Sequence, residues 1–202
     1  MPDMKIVVDS REPKWLHTAM QKFGAPVFEQ QKQLKVGDYE TDLVIVERKG
    51  ANDYIASIVD RRLFDQLNRL SAYCDRTDKA GFLFVHGNLD SAILEYNTRI
   101  AKREEDFRAA KTKQLKKQGK TTTQIKDATR KIRLRRLNSK SVFGSLASIK
   151  VRYHPHISII HTEPRNPDWV PYILWKIIEK AHEEKLGKPR KIYKKRSTRK
   201  RR

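Results

Sequence analysis

The sequence predicts an α/β protein in which a mixed central sheet is flanked by helices. Two observations carry this. Apolar runs of strand length alternate along the chain with longer segments whose apolar residues recur at helical spacing. The 202 residues, 38% of them hydrophobic, suffice for one proper core but not obviously for two. Lys5 to Asp9 is the first strand. Glu12 and Pro13, followed by Trp15, Leu16 and Met20, open a helix with proline near its first turn, ending at Phe23 and Gly24. Val27 to Gln33 and Tyr39 to Lys49 supply two or three more strands, punctuated by turn-forming residues at Val36 and Gly37 and at Glu40, Thr41 and Asp42. Asn52 or Asp53 caps a long helix whose buried stripe is Ile55, Val59, Leu63, Leu67, Leu70 and Cys74. Phe82 to Val85 is a buried strand, the serine-rich Ser139 to Ser141 precedes a helix through Ile149, and Ile157 to Ile160 is a last strand. Trp169 to Ala181 closes the domain as an amphipathic helix carrying Ile173, Leu174 and Ile177. Trp15, Trp169 and Trp175 fall at helical positions and are assigned to the core.

The net charge of +21 is concentrated in two segments. Residues 185–202 hold eleven Lys and Arg and no acid, and residues 99–140 hold sixteen Lys and Arg against four acids, leaving eighteen basic and twenty acidic residues elsewhere. A near-neutral body with basic extensions suits a protein that grips a polyanion while keeping an acidic site.

That acidic site is legible as Gly37 and Asp38, followed by Glu47, Arg48 and Lys49 and then Asp53. Leu43 to Val46 reads as a buried strand, so period-two alternation puts Glu47 and Lys49 on one face and Arg48 on the other, where it is structural or phosphate-facing rather than a base. Asp38 lies upstream on the paired strand. Two carboxylates brought together repel unless a cation sits between them, and Mg²⁺ prefers oxygen ligands while retaining several waters. Asp38 and Glu47 are therefore the expected ligands of Mg²⁺ or Mn²⁺, with a metal-activated water as attacking species and Lys49 assisting the water or the charge developing on a phosphate. This is the layout of a metal-dependent nuclease. On the residues alone, Asp53 reads equally as a helix cap, and Asp9 and Glu12 as solvated acids at a strand end. Arg62 and Gln66 share a helix face, either as a surface pair or as part of the site.

The ordered segments Val8 to Glu12, Leu34 to Tyr39, Val46 to Lys49 with Asp53, and Ser57 to Gln66, with Gly144 to Ile149 and Ile157 to His161 further on, resemble the nuclease domain of the XPF/Hef structure-specific endonucleases. The resemblance covers residues 4–98 and 138–184. Arg61 stands where the family usually has glycine, and no helix-hairpin-helix module follows. The resemblance implies a restriction-endonuclease-like core over residues 1–184, interrupted by a basic helical insertion at 99–138 and followed by a disordered basic tail at 185–202. It also implies a catalytic set of Asp9, Glu12, Asp38, Glu47 and Lys49, supported by Arg11, Arg48, Asp53, Arg62 and Gln66 near the scissile phosphate. The implied substrate is branched DNA, a 3′ flap, fork or nicked junction, met in repair, recombination or replication. A homodimer through the nuclease domain is implied as well, and a separate DNA-targeting partner is one replacement for the missing module. Alternatives are a junction resolvase or other restriction-endonuclease-like enzyme, a catalytically silent DNA-binding platform, and an RNA-directed role suggested by the tail. The intact Asp38, Glu47 and Lys49 argue against silence.

In the insertion, Arg99 to Gln118 has apolar residues only at Ile100, Phe107 and Leu115 besides its alanines, Gly119 is a helix stop, and Thr121 to Gln124 is a capping box opening a second helix through Leu137. A DNA-contacting hairpin, a solvated arm and a protein-docking surface all remain readings of it. The tail is too polar to fold alone and reads as phosphate-binding, or as a nuclear import signal in a eukaryote. Cys74 is an inert buried thiol. His154, His156 and His161 lack partners at zinc-ligand spacing. No Walker-type loop for ATP exists, and no apolar run approaches membrane-helix length. The expected location is intracellular: cytoplasmic in a prokaryote or virus, nuclear in a eukaryote.

Overall fold

A computed structural model of the chain describes residues 4–29 and 33–187. Among the described residues six strands form one mixed sheet in the order β2-β1-β3-β4-β5-β6. These are β1 (Ile6–Val8), β2 (Val27–Glu29), β3 (Tyr39–Glu40), β4 (Val44–Gly50), β5 (Ala80–His86) and β6 (Ile157–Thr162). Pairing is antiparallel between β1 and β3 and between β3 and β4, and parallel elsewhere. Chain connectivity explains the mixture. β3 and β4 are joined by a tight turn in which Thr41 Oγ1 accepts the N–H groups of Leu43 and Val44 at 3.2 and 2.9 Å. The parallel pairs are each joined by a helical crossover.

Alternation along β4 and β5 divides two cores. Ile45, Leu83 and Val85 face helices α2 (Ala51–Val59), α3 (Arg62–Thr77), α4 (Leu89–Lys117) and α6 (Ser139–Arg152), where Leu63, Leu67, Leu70, Val142 and Ile149 are buried. Val44, Val46 and Phe84 face the opposite layer, α1 (Lys14–Lys22) and α7 (Trp169–Lys185), with Leu16, Met20, Leu174 and Ile178. Both faces of the central strands are thus covered, as their continuous apolar runs require.

Several expectations need correction. The long helix from Asn52 or Asp53 is two helices: α2 starts directly after β4 with Gly50 at its N-cap, and the chain turns at Arg61, which has a positive φ of 61°. The break rotates Val59 out of the expected stripe, and it is 38% exposed. Of the three tryptophans only Trp175 is buried; Trp15 and Trp169 lie on the outer sides of their helices, Trp169 edge-on to Tyr172. The strand expected to reach Gln33 is described to Glu29, and residues 30–32 lie outside the described residues.

The insertion begins inside a continuous 29-residue helix, α4, whose first turns pack Leu89, Ala92 and Ile93 into the core. Gly119 ends it with φ +69°, and the capping box between Thr121 and Gln124 starts α5 (Thr122–Arg130). The second helix stops at Arg130 and does not reach Leu137. The cause is competition for backbone groups by α4 side chains. Arg108 donates to the Ile132 carbonyl, Glu104 accepts the Leu134 N–H at 3.2 Å, and Asn97 clamps both the N–H and the carbonyl of Leu137 at 2.8 and 3.0 Å. Most of the basic tail, from residue 188, lies outside the described residues. Among the described residues no helix is long and apolar enough to cross a membrane.

Candidate active site

The residues singled out in the sequence converge on one cleft of about 580 Å³ between the end of β4, the approach to β3 and the helices α2 and α3. Arg11, Glu12, Asp38, Glu47, Arg48, Lys49, Asp53, Arg62 and Gln66 all line it. Gly37 sets the approach. Its φ is +70°, and a Cβ there would sit 2.7 Å from Ile45 Cγ1, so only glycine lets the chain pass over β4 and deliver Asp38 to the strand end. Asp38 is then pinned on three sides: its N–H donates to the Val46 carbonyl, its carbonyl accepts the Asp9 N–H, and its Oδ2 accepts the Arg48 N–H at 2.7 Å.

Strand alternation works as the sequence requires. Glu47 and Lys49 share a face, with Lys49 Nζ 2.8 Å from Glu47 Oε1 and Lys49 only 8% exposed. Oδ1 of Asp38 and Oε2 of Glu47 make no hydrogen bond among the described residues. Burial pushes the Asp38 carboxyl up to about 8, with the neighbouring charges of Glu47 and then Glu12 adding to it. Among the described residues no three His, Cys, Asp or Glu side chains are grouped to enclose a metal ion. What the protein offers is a two-carboxylate half-site with hard oxygen donors, the kind that suits an ion keeping several waters.

Arg48 faces the other way. It forms a two-pronged ion pair with Glu12, Nε to Oε2 at 2.6 Å and Nη2 to Oε1 at 3.0 Å, while the Tyr39 hydroxyl donates to the same Oε2 at 2.8 Å. Glu12 therefore lines the cleft with both oxygens engaged. Asp9 is 1% exposed and does not line the cleft; its carboxylate accepts the N–H groups of Arg11 and Leu34 and the Arg11 side chain. Burial alone would raise its pKa, but the Arg11 side chain and the two backbone donors outweigh that and hold it below the usual range. Asp9 is thus turned away from the cleft, whereas Glu12 lines it with its oxygens on Arg48 and Tyr39. Asp53 lies in the first turn of α2, exposed at the rim, and does not cap it.

Two contributors escaped the sequence reading. Arg69 joins Arg62 and Gln66 on the cleft wall, and their spacing of four and three along α3 could have found it. Gln66 Oε1 is buried there with no hydrogen-bond partner among the described residues. The other is His86, at the end of β5, whose Nε2 lies 2.7 Å from Arg48 Nη1. An arginine only donates, so this nitrogen carries the lone pair and Nδ1 the proton. No local motif marks His86, because only the β4–β5 pairing brings it to Arg48.

Burial and then the Arg48 charge depress His86 to about 4, with Glu12 and Asp53 pulling weakly the other way. A histidine depressed from 6.5 supports the fold above its unfolded pKa and ceases to as pH falls toward the folded value. The stability advantage of wild type over His86→Leu is therefore expected to shrink between pH 7 and pH 5 in urea melts; an advantage constant over that range would show that the imidazole is not held neutral.

The ERCC4 domain family matches residues 8–167, which include the whole cleft. The chain belongs to that family. Over 71 residues, 33% of the chain and 8% of the relative, the domain is 45% identical to the putative ATP-dependent RNA helicase MJ1505 of Methanocaldococcus jannaschii. Over 40 residues, 19% of the chain and 17% of the relative, it is 58% identical to the 3′-flap repair endonuclease Xpf of Saccharolobus solfataricus. The chain therefore spans less than a fifth of either relative. In three dimensions the ERCC4 domain is similar to XPF from Aeropyrum pernix, with a TM-score of 0.53 and 20% identity over 91% of this chain and 68% of that one. The same protein in complex with DNA gives 0.51 and 23%, over 88% and 66%. At that identity the likeness establishes the fold.

Proposed function

We propose that this ERCC4 domain is a DNA endonuclease that hydrolyses phosphodiester bonds in branched DNA with Mg²⁺ or Mn²⁺ bound to Asp38 and Glu47. The observation that carries the reading is the pair of carboxylates lining the cleft, each with an oxygen that makes no hydrogen bond among the described residues, beside a buried lysine and a group of arginines. When bound, the ion would supply Lewis acidity that lowers the pKa of a water and polarises the phosphate. The protein's own groups do the rest. Lys49, held at 2.8 Å by Glu47, places a positive charge where the phosphorane-like charge develops. Arg11, Arg62 and Arg69 line the cleft as phosphate ligands, with Gln66 on the same wall. Arg48 and Asp9 keep Glu12 and Asp38 in place. The roles of the relatives, a 3′-flap repair endonuclease and an XPF bound to DNA, support this choice of substrate. A second copy docking through the apolar face of Phe82, Ile160 and Ile173 belongs to the same reading.

The test is cleavage of end-labelled 3′-flap, fork, nicked-junction and linear duplex DNA with Mg²⁺, Mn²⁺ or EDTA. Branched substrates are expected to be cut only with metal. Equal cutting of the linear duplex would indicate a different restriction-endonuclease-like specificity, and binding without cutting under either metal would indicate a silent platform.

A further inference from the structure

A second groove, of about 520 Å³, lies where the insertion returns to the core. It is lined by Ile58, Arg61, Tyr96, Arg135, Arg136 and Leu137, with no acidic residue among its walls. The last turn of α2 separates it from the cleft: Ala56 and Ser57 face the cleft, Ile58 and Val59 the groove, and the adjacent arginines Arg62 and Arg61 do likewise.

The groove is built rather than incidental. Arg135 and Arg136 sit on a stretch without regular secondary structure whose backbone is tied to α4 at Leu134 and Leu137, on either side of them, so the two exposed side chains are presented from a tethered segment instead of a free arm. Arg61 holds a left-handed backbone, φ 61°, at a position where glycine would be unstrained. An exposed side chain kept there at a backbone cost points to a use for that side chain. The floor mixes the half-buried Tyr96 ring with aliphatic groups from Ile58 and Leu137. A groove that combines arginines with an aromatic and aliphatic floor suits a strand whose phosphates and base faces are both accessible; a duplex hides its base faces in the stack.

We propose that this groove binds an unpaired DNA strand emerging from the cleft, with Arg61, Arg135 and Arg136 on its phosphates and a base against Tyr96. The proposal rests on the reading of the cleft as a DNA nuclease, and it makes the insertion a reader of branched structure. The insertion's remaining charge serves duplex of any shape.

The experiment measures binding in EDTA, so that it does not depend on cleavage. Fluorescence anisotropy compares the full chain on a blunt duplex and on the same duplex carrying a single-stranded arm, for wild type, Arg135→Ala/Arg136→Ala and Arg61→Gly. Glycine suits the left-handed backbone, so the last variant removes the side chain without endangering the fold. Each variant is expected to lose about tenfold affinity for the armed DNA and less than about twofold for the duplex, with the armed-DNA salt slope falling by about 0.7 for each phosphate no longer neutralised. Equal losses on both substrates, or no loss on either with an unchanged melting temperature, would overturn the groove as a single-strand site. Tighter capture of an RNA arm than of the matching DNA arm would overturn its assignment to DNA. Loss of cleavage activity in Asp38→Asn, or its retention, leaves these outcomes untouched and so tests the cleft separately.

Discussion

Asp38→Asn is expected to cut branched DNA about 10³-fold more slowly than wild type while binding it as tightly and melting no lower. The isosteric change isolates the chemistry. An asparagine oxygen can still accept the Arg48 N–H that pins the side chain at 2.7 Å, so the backbone around the site has no reason to move. The fold should gain, because burial and the adjacent Glu47 and Glu12 charges make an ionised Asp38 unfavourable, raising its pKa to about 8. A carboxyl raised in the folded state costs stability from its unfolded pKa upward, so the gain is expected at pH 7 and should vanish near pH 4. Glu47→Gln and Lys49→Ala should lose cleavage comparably, the first by removing the second hard donor, the second by removing the buried ammonium beside it. Affinity should survive in all three, since the large charge excess lies in the insertion and tail. Cleavage by Asp38→Asn at the wild-type rate with Mg²⁺ present would place the chemistry elsewhere; loss of binding together with a lowered melting temperature would indicate a folding defect.

The sequence carried the sheet and the cleft because both depend on short-range periodicity. Glu47, Arg48 and Lys49 alternate on a strand whose burial is written in Val44 to Val46, and one glycine with a forced positive φ aims Asp38 at their end. What escaped depends on non-local interactions. The turn at Arg61 leaves one trace in the sequence, the glycine that the family usually has there; arginine itself does not favour a left-handed conformation, and the helical stripe runs almost in phase across the break. The end of α5 is not legible locally, because residues beyond Arg130 have ordinary helical propensity and their backbone groups are claimed by α4 side chains twenty-four or more positions upstream, Arg108, Glu104 and Asn97. Asp9 and Glu12 illustrate a subtler limit. Motif membership located them at the site, but which way each carboxylate turns is decided by its partner: Arg11 holds Asp9 away from the cleft, while Glu12 lines it with its oxygens on Arg48.

Arg48 is expected to be the most costly single side chain to remove at the site: Arg48→Met should lower unfolding free energy by about 3–5 kcal/mol, the usual consequence of leaving one member of a buried ion pair without its counter-charge. The pair qualifies as buried, with Arg48 and Glu12 side chains only 13% and 10% exposed, and its geometry is two-pronged. In that variant Glu12 keeps the Tyr39 hydroxyl, which burial and Glu12 itself hold in the protonated, donating form, so the loss has two parts, the orphaned charge and the lost two-pronged contact. The double variant Arg48→Met/Glu12→Gln separates these effects: the glutamine removes the orphaned charge and can still accept from Tyr39, so it is expected to recover most of the stability missing in Arg48→Met alone. Urea melts of the four forms give the coupling directly. Cleavage supplies a second readout. An uncompensated Glu12 charge adds to the repulsion already raising Asp38, so Arg48→Met should need a higher Mg²⁺ concentration for half-maximal cutting than wild type, and the double variant should return toward it. A loss below about 1 kcal/mol, with no recovery in the double variant, would mean that solvent screens the pair as it does at an exposed surface, and that Arg48 is not what braces the floor of the cleft.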